Sequence, residues 1–236
     1  MRLPRNNFIS LPGIGTLLLL ALPASALAQH AVTGYYAHHQ ALDFSLSLQR
    51  SDLDLRGDGR RFSARAERVS VTFLEGRAPG LRYGLTLGSG YVGLDGDPPS
   101  EGRRPGGYHL GLGLNARPAG IPGLSLSLRY LYQQARDETP ARRINLDWQE
   151  WEVEASLRVP ARGRWGLVLG GGYAGVDIRR RSSGDINDTL QVDALAGPQG
   201  RLELELRETP SGRIALGLQR GVFNGVKLSF ARRFYY

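Results

Sequence analysis

Apolar and polar residues alternate with a period of two along most of the chain beyond its first forty residues. In the segment 42–48 every second residue is Leu or Phe, and the residues between them are Asp or Ser. Seven further segments alternate in the same way: 81–87, 108–114, 124–132, 151–159, 202–206, 214–218 and 226–230. This period predicts β-strands with one apolar face, and helical spacing is almost absent.

Two more segments are predicted strands with weaker patterns. In the first, Val69, Val71 and Phe73 occupy one parity, whereas the apolar residues of 62–66 occupy the other. A β-bulge near Glu67 and Arg68 would reconcile the two halves. The second, 165–178, is crowded by glycines. The total is ten antiparallel strands, with eight or twelve as alternatives if the first strand begins at Ala31 or a weak strand is miscounted.

The connections between these strands alternate in length. One set is short and contains Gly or Pro: 75–80, 118–122, 160–164 and 208–212. The other set is longer and polar, with a short last member: 50–60, 92–107, 135–145, 179–198 and 221–225. Short turns at one rim and long loops at the other are typical of a transmembrane up-and-down β-barrel, whereas a soluble β-sandwich does not require them. We therefore predict an all-β antiparallel barrel over residues 41–236.

The N-terminus predicts export from the cytoplasm. Arg2 and Arg5 precede a largely apolar run over 8–22, and Ala26-Leu27-Ala28 supplies the small residues that a signal peptidase recognises. The run is too short for a membrane-spanning helix. We expect a cleaved signal peptide over 1–28 and a periplasmic N-terminal segment over 29–40, and the barrel is expected in the outer membrane.

The last strand carries an aromatic pattern. Phe230, Phe234 and Tyr236 share one parity, and other aromatic residues fall at the ends of the apolar rows. This end resembles the C-terminal signature of small Gram-negative outer-membrane β-barrel proteins. The resemblance implies that the barrel-assembly machinery recognises the strand, although Arg232 stands where the pattern prefers an apolar residue.

Composition narrows the chemistry. The chain has 236 residues, is 41% hydrophobic and contains no cysteine, which excludes disulfides, thiolate catalysis and cysteine-bound zinc. A hydrophobic content of this size suits a barrel, which displays apolar residues on one face only. The formal net charge is +8, carried by 30 basic residues against 22 acidic ones. With export predicted and no nucleic-acid motif present, this charge points to phosphate-rich lipid rather than to nucleic acid.

The face opposite the leucines carries charges of both signs. We expect these side chains to form a charge ladder inside the barrel, made of Arg82, Arg129, Glu150, Glu152, Glu154, Arg201, Glu203, Glu205 and Arg213. Carboxylates two residues apart on one strand face lie about 7 Å apart and repel each other unless cations intervene. Because both signs are present, a structural ladder is favoured over an acid/base site. Inward glycines leave open whether the interior is filled or holds a narrow water path.

The expected role is therefore a structural barrel or a narrow passive pore, with no enzymatic activity, catalytic residue, metal or cofactor. Expected partners are outer-membrane lipid and lipopolysaccharide, and the protein is expected to be a monomer. Guanidinium groups bind phosphates bidentately. Arg179, Arg180 and Arg181, in the last long loop, are therefore candidate lipopolysaccharide contacts.

Two alternatives belong to other functional classes. One is a hydrolase at the outer rim that uses His109, whose parity points inward, together with a loop carboxylate. The other is a soluble, lipocalin-like periplasmic barrel with its leucines inside, because a period of two does not reveal which face is apolar.

Overall fold

The computed structural model describes residues 40–235 except 58, 78, 79, 119, 162 and 193. The predicted signal peptide, the segment 29–39 and Tyr236 lie outside the described residues. The strands are β1 (Gln40–Gly57), β2 (Arg60–Arg77), β3 (Leu81–Asp95), β4 (Gly106–Ala116), β5 (Leu124–Glu138), β6 (Arg142–Pro160), β7 (Trp165–Gly184), β8 (Asp188–Gln191), β9 (Leu195–Arg207), β10 (Gly212–Gly221) and β11 (Asn224–Tyr235).

Ten of these strands form a closed antiparallel ring. Each pairs with the next along the chain, β7 pairs with β9, and β1 pairs with β11 to close the ring. The short β8 extends the sheet at the end of β7. The predictions of an all-β up-and-down barrel and of ten barrel strands are both confirmed.

The leucine-rich face points outward. Leu85, Leu112 and Leu216 expose about half of their surface, at 47%, 59% and 53%. Exposed aromatic rings flank this band at both ends of the strands, such as Tyr108 at one end and Tyr83 at the other. An apolar outer band with aromatic girdles is the architecture of outer-membrane β-barrels. The soluble alternative with inward leucines is therefore wrong.

No helix among the described residues is long and apolar enough to cross a membrane.

Several strands are much longer than a membrane crossing requires. A crossing takes about 9–11 residues, whereas β1 and β2 have 18 each, β6 has 19 and β7 has 20. The predicted long loops 50–60 and 135–145 are consequently mostly strand, with connections of only 58–59 and 139–141. Much of the predicted loop 179–198 is also strand. In these regions the prediction of loops is wrong.

The predicted bulge in β2 is also wrong. The pairing of β1 with β2 runs without interruption from Gly57 opposite Arg60 to Gln40 opposite Arg77. Phe62 and Ala66 point inward and are buried, on the same face as Arg68. The backbone is therefore regular. What changes along the strand is which of its two faces carries the apolar residues: the inner face at 62–66 and the outer face at 69–73.

These buried apolar side chains fill the barrel at the end opposite the short turns. We call them the outer core: Leu53, Leu55, Phe62, Ala64, Ala66, Val92, Leu94, Ala135, Leu146, Trp148, Ala174, Val176, Ile178, Leu190, Val192, Val222 and Phe223. The barrel thus has two zones. The membrane zone is apolar outside and polar inside. The outer zone, beyond it, is polar outside and apolar inside.

Candidate functional site

The side chains of all nine residues predicted for the charge ladder lie on the inner face of the barrel. The strands place them there because each alternates with an outward apolar residue. They occupy the membrane zone, between the outer core and the short turns. Buried charges in such a place need partners, because desolvation of an isolated ion costs several kcal/mol or more.

The first layer of charge lies directly beneath the outer core. Arg68 Nη1 lies 2.7 Å from Glu150 Oε2, and both side chains are 3% exposed. Arg68 Nε donates to Gln133 at 2.7 Å, and the Trp148 indole N–H donates to Glu150 at 2.9 Å. The Arg68 guanidinium carbon also lies 5.0 Å from the centroid of the Trp148 ring. Trp148 therefore joins the apolar and the charged parts of the interior.

The second layer separates the three glutamates of β6. Arg129 lies 2.9 Å from Glu152 and 3.6 Å from Glu150. Arg201 donates to both oxygens of Glu154, at 2.9 and 2.6 Å, and to Glu203 at 2.6 Å. Arginines from β5 and β9 thus pair with the carboxylate row of β6. Each of Glu150, Glu152 and Glu154 therefore has an arginine partner.

A third layer lies toward the short turns. Arg158 lies 2.6 Å from Glu205, whose other oxygen lies 3.5 Å from Arg213. Arg82 pairs with Asp43 and donates to Asn115 at 3.1 Å. Asp43 also accepts a bond from Arg233 at 2.6 Å. Arg82 is therefore bound by an aspartate of β1 rather than by a ladder glutamate.

The predicted ladder left out several charges that the structure places inside the barrel, among them Asp43, Arg68, Arg158, Lys227 and Arg233. Asp43, Lys227 and Arg233 alternate with outward apolar or aromatic residues, so the same alternation that predicted the ladder could have placed them inside. Arg68 was hidden by the expected bulge, which placed a change of face at that residue.

His109 lies inside the barrel, as its parity predicts, but not at the outer rim. Its side chain is buried, with 3% of the residue exposed, and its Nε2 lies 2.9 Å from Ser70 Oγ. Its Nδ1 has no hydrogen-bond partner among the described residues. Its strand neighbour Gly107 pairs with Ala135 of the outer core. His109 and Ser70 therefore lie beneath the outer core, and among the described residues they lack the third, orienting group of a nucleophilic site.

The three consecutive arginines of β7 divide between the two faces. Arg179 and Arg181 are exposed on the outside. The Arg180 side chain is 1% exposed, and its Nη2 lies 2.8 Å from Asp97 and 3.0 Å from Asp188. The hydrogen bond from Arg180 lowers the pKa of the Asp188 carboxyl. Arg180 is therefore unavailable to lipopolysaccharide, because strand alternation turns it inward; for Arg179 and Arg181 the contact remains a prediction.

The two described residues of the predicted C-terminal signature, Phe230 and Phe234, lie on the outer face of β11. Phe230 and Phe234 are 41% and 45% exposed. Arg232 shares their parity, and its guanidinium carbon lies 5.4 Å from the Phe234 ring centroid. Recognition by the assembly machinery remains a prediction.

A cavity of about 620 Å³ lies at the end of the barrel that carries the short turns. We call it the turn-side vestibule. Among the side chains that line it are Arg117, Arg158, Arg207, Arg213, Glu203 and Glu205. In outer-membrane barrels the rim with the short turns faces the periplasm. Within the described part of the chain, no cluster of three or more His, Asp or Glu residues is suited to hold a metal ion.

No protein-family model and no curated protein matches the chain. Solved structures do match. The translocator domain of the autotransporter NalP from Neisseria meningitidis is 9% identical, with 94% of this chain and 96% of that one covered and a TM-score of 0.46. The outer membrane protease OmpT from Escherichia coli is 9% identical, with 87% and 99% covered and a TM-score of 0.45. The attachment invasion locus protein Ail of Yersinia pestis is 12% identical, with 84% and 100% covered and a TM-score of 0.40. These similarities concern the course of the chain alone, and the membrane-barrel architecture of this protein rests on its closed ring and apolar outer band.

Proposed function

We propose that the protein is a closed structural barrel of the outer membrane that does not conduct solutes. In this role the membrane zone anchors the protein, and the outer zone holds long, polar-faced β-hairpins outside the cell. Of the two roles expected from the sequence, this proposal retains the structural barrel and drops the narrow pore.

The outer core is the observation that carries this proposal. Leu53, Leu55, Trp148 and Ile178 point into the barrel, and each is at most 2% exposed. A packed apolar interior lacks the polar partners that a file of water needs. Beneath it, the paired charges of the Arg68 and Glu150 layer occupy the interior from opposite walls. Ions that enter the turn-side vestibule would meet both layers.

Conductance measurements in planar bilayers test the proposal. Purified wild-type protein is expected to give no single-channel steps, with a general porin as the positive control for the bilayer. The double variant Leu53→Asn with Leu55→Asn adds polar groups to the core. Asp52→Asn with Asp54→Asn changes the outer face of the same strand and is the matched control.

Conductance in the Leu53/Leu55 variant alone would support the outer core as the barrier. Stable ion steps from the wild-type protein would overturn the proposal. Silence in all three proteins would support a closed barrel whose charged layers also block the path.

We also propose that the barrel has no hydrolytic activity. The Ser70 and His109 pair is the strongest alternative, but it is enclosed and lacks a carboxylate partner on Nδ1 among the described residues. A screen with phospholipid, lipopolysaccharide and peptide substrates is expected to detect no turnover. Turnover that is lost in both Ser70→Ala and His109→Ala, while the variants keep their fold, would overturn this part of the proposal.

Lipopolysaccharide is proposed as a partner of the outer zone. Arg179 and Arg181 project from the outer face of β7, and guanidinium groups bind the phosphate groups that lipopolysaccharide carries. Replacing both with Ser is expected to lower the melting temperature in lipopolysaccharide-containing membranes but not in pure phospholipid. An equal loss in both membranes would contradict the contact, because it would reveal a purely internal role.

A further inference from the structure

The turn-side vestibule has more guanidinium groups than carboxylates to pair with them. Five arginines line it, Arg117, Arg158, Arg201, Arg207 and Arg213, against the two glutamates Glu203 and Glu205. Arg201 is held by Glu154 and Glu203, and Arg158 by Glu205. Among the described residues, neither Arg117 nor Arg207 forms an ion pair. The vestibule therefore contains two guanidinium groups that form no salt bridge with a described carboxylate.

Strand register makes the imbalance sharper at Arg207. This residue lies directly opposite Arg213 in the pairing of β9 with β10, and both line the vestibule, where Arg207 is exposed at the rim and Arg213 is half-buried. Like charges that face each other across a strand pair are destabilising. Arg213 has only a 3.5 Å approach to Glu205, a carboxylate that already binds Arg158 at 2.6 Å. Glu205 therefore gives Arg213 only the longer of its two arginine contacts, and no described carboxylate forms a salt bridge with Arg207.

Arg117, at the end of a different strand of the barrel, is also surrounded by guanidinium groups. It follows the last residue of β4, outside the membrane-spanning part of that strand. Burial, together with the nearby guanidinium groups of Arg233, Arg158 and Arg213, lowers the pKa of Arg117 to about 10. A bound anion would relieve this repulsion, because an opposite charge favours the charged form of each arginine.

We infer that the turn-side vestibule is a binding site for a small phosphate-bearing anion that enters from the periplasmic side. Planar guanidinium groups match phosphate oxygens bidentately, and Arg117, Arg207 and Arg213 are the groups with donors to spare. The volume of about 620 Å³ lies within the range of small-molecule sites. Ser125 and Ser127 on the lining add hydroxyl groups to the charged ones.

Phosphate groups reach this rim from two sources, soluble phosphate esters and the headgroups of the inner leaflet. Calorimetric titration of inorganic pyrophosphate into the folded protein tests the shared chemistry. The protein is held in maltoside detergent micelles, which contain no phosphate. A second titration in the same micelles with added phosphatidylglycerol separates the sources. Weaker pyrophosphate binding in the second titration identifies a lipid headgroup as a competitor, and equal binding identifies a site for soluble anions.

The variant for this test is Arg117→Gln with Arg207→Gln. Neither side chain has a carboxylate partner among the described residues, so the barrel is expected to fold. Folding is verified on gels if the boiled sample of the variant migrates more slowly than the unboiled one. The matched control is Arg232→Gln, at the same end of the barrel but on its outer face. The double variant is expected to bind pyrophosphate at least tenfold more weakly than the wild type, and Arg232→Gln is expected to bind equally well.

No measurable binding by the wild type would overturn the inference. Equal binding by the wild type and the double variant would overturn it as well, since the anion would then sit elsewhere. Should the double variant fail to fold, Arg117→Lys and Arg207→Lys replace it. These keep the charge but lose the planar fork, and a severalfold weakening is expected.

Discussion

The membrane zone and the outer zone are built from the same strands with opposite polarity. On β1, Leu48 faces outward and is 45% exposed, whereas Leu53 faces inward and is 1% exposed. Between them Gln49 and Ser51 point inward and Arg50 outward. The same change occurs on β2 between Ala66 and Val69. The parity of the apolar residues thus marks where the surroundings of the barrel change from lipid to water.

The two zones gain stability in different ways. In the outer zone, apolar side chains leave water on folding, at about 25 cal/mol per Å² of buried area. In the membrane zone, the outward leucines face lipid, and the interior is held by buried ion pairs whose attraction is offset by desolvation. Loss of one member of such a pair is costly, because the other charge stays buried. The zones should therefore respond differently to equivalent substitutions.

The largest effect is expected where the two zones meet, at Trp148. Replacing Trp148 with Ala opens a cavity in the outer core, which costs about 3–5 kcal/mol. It also removes the indole donor from the buried Glu150. The free energy of unfolding, measured with urea in lipid vesicles, is expected to fall by about 5 kcal/mol from both losses.

The matched control is Trp148→Phe, which keeps most of the ring but lacks the N–H. A loss of about 1.5–3 kcal/mol is expected for the missing hydrogen bond to a charged group. Equal losses for Ala and Phe would contradict a packed core around this residue.

The next effect concerns the charged layer beneath the core. Glu150→Gln leaves the Arg68 guanidinium buried without an opposite charge, and a loss of about 3–4 kcal/mol is expected. Arg68→Met in the same protein removes the stranded charge. The double variant should therefore be more stable than Glu150→Gln alone, as a double-mutant cycle would measure. If the two losses simply added, the pair would not be coupled.

A smaller effect comes from two leucines of one strand. Leu53→Ala should cost about 2–3 kcal/mol, because it empties part of the outer core. Leu48→Ala should cost under about 1 kcal/mol, since lipid chains can fill the space left by an outward side chain. Urea unfolding of both variants in the same vesicles compares the zones directly. Equal costs would contradict the assignment of the two faces to different surroundings.

The sequence predicted the membrane zone well, because one rule governs every strand in it. Leu85, Leu112 and Leu216 face lipid as alternation requires, and the charges between them lie inside. The ion-pair partners could not be predicted from the sequence, because they depend on the register between strands. Arg201 of β9, for example, meets Glu154 of β6, which lies two strands away around the ring, across β7.

The outer zone was misread as loops because its polar residues face outward. Asp52, Asp54 and Arg56 look like a solvated loop when the alternating Leu53 and Leu55 are read by the parity of the membrane zone. In β2 the same inversion resembles a bulge. Only the pairing with a neighbouring strand shows that the backbone hydrogen bonds continue. The alternation was present in the sequence, but reading it requires two zones in which the apolar residues face opposite sides.

The smallest predicted effect tests the outermost part of the outer zone, where β8 pairs with β7. Asp188 accepts a hydrogen bond from Arg180 at 3.0 Å, and this bond lowers the pKa of the carboxyl. A lowered pKa in the folded state stabilises the protein above the unfolded value of about 3.9, and this stability is lost as the pH falls through the folded pKa. Because the Asp188 side chain is 49% exposed, solvent screening keeps the effect below about 1 kcal/mol.

Hydrogen exchange of the β8 amides measures this effect, when wild type and Asp188→Asn are compared at pH 6 and at pH 3. Comparing the two proteins at each pH cancels the intrinsic pH dependence of exchange. The wild type should be better protected at pH 6 and nearly equal to the variant at pH 3, whereas a constant difference would show that the charge of Asp188 does not matter.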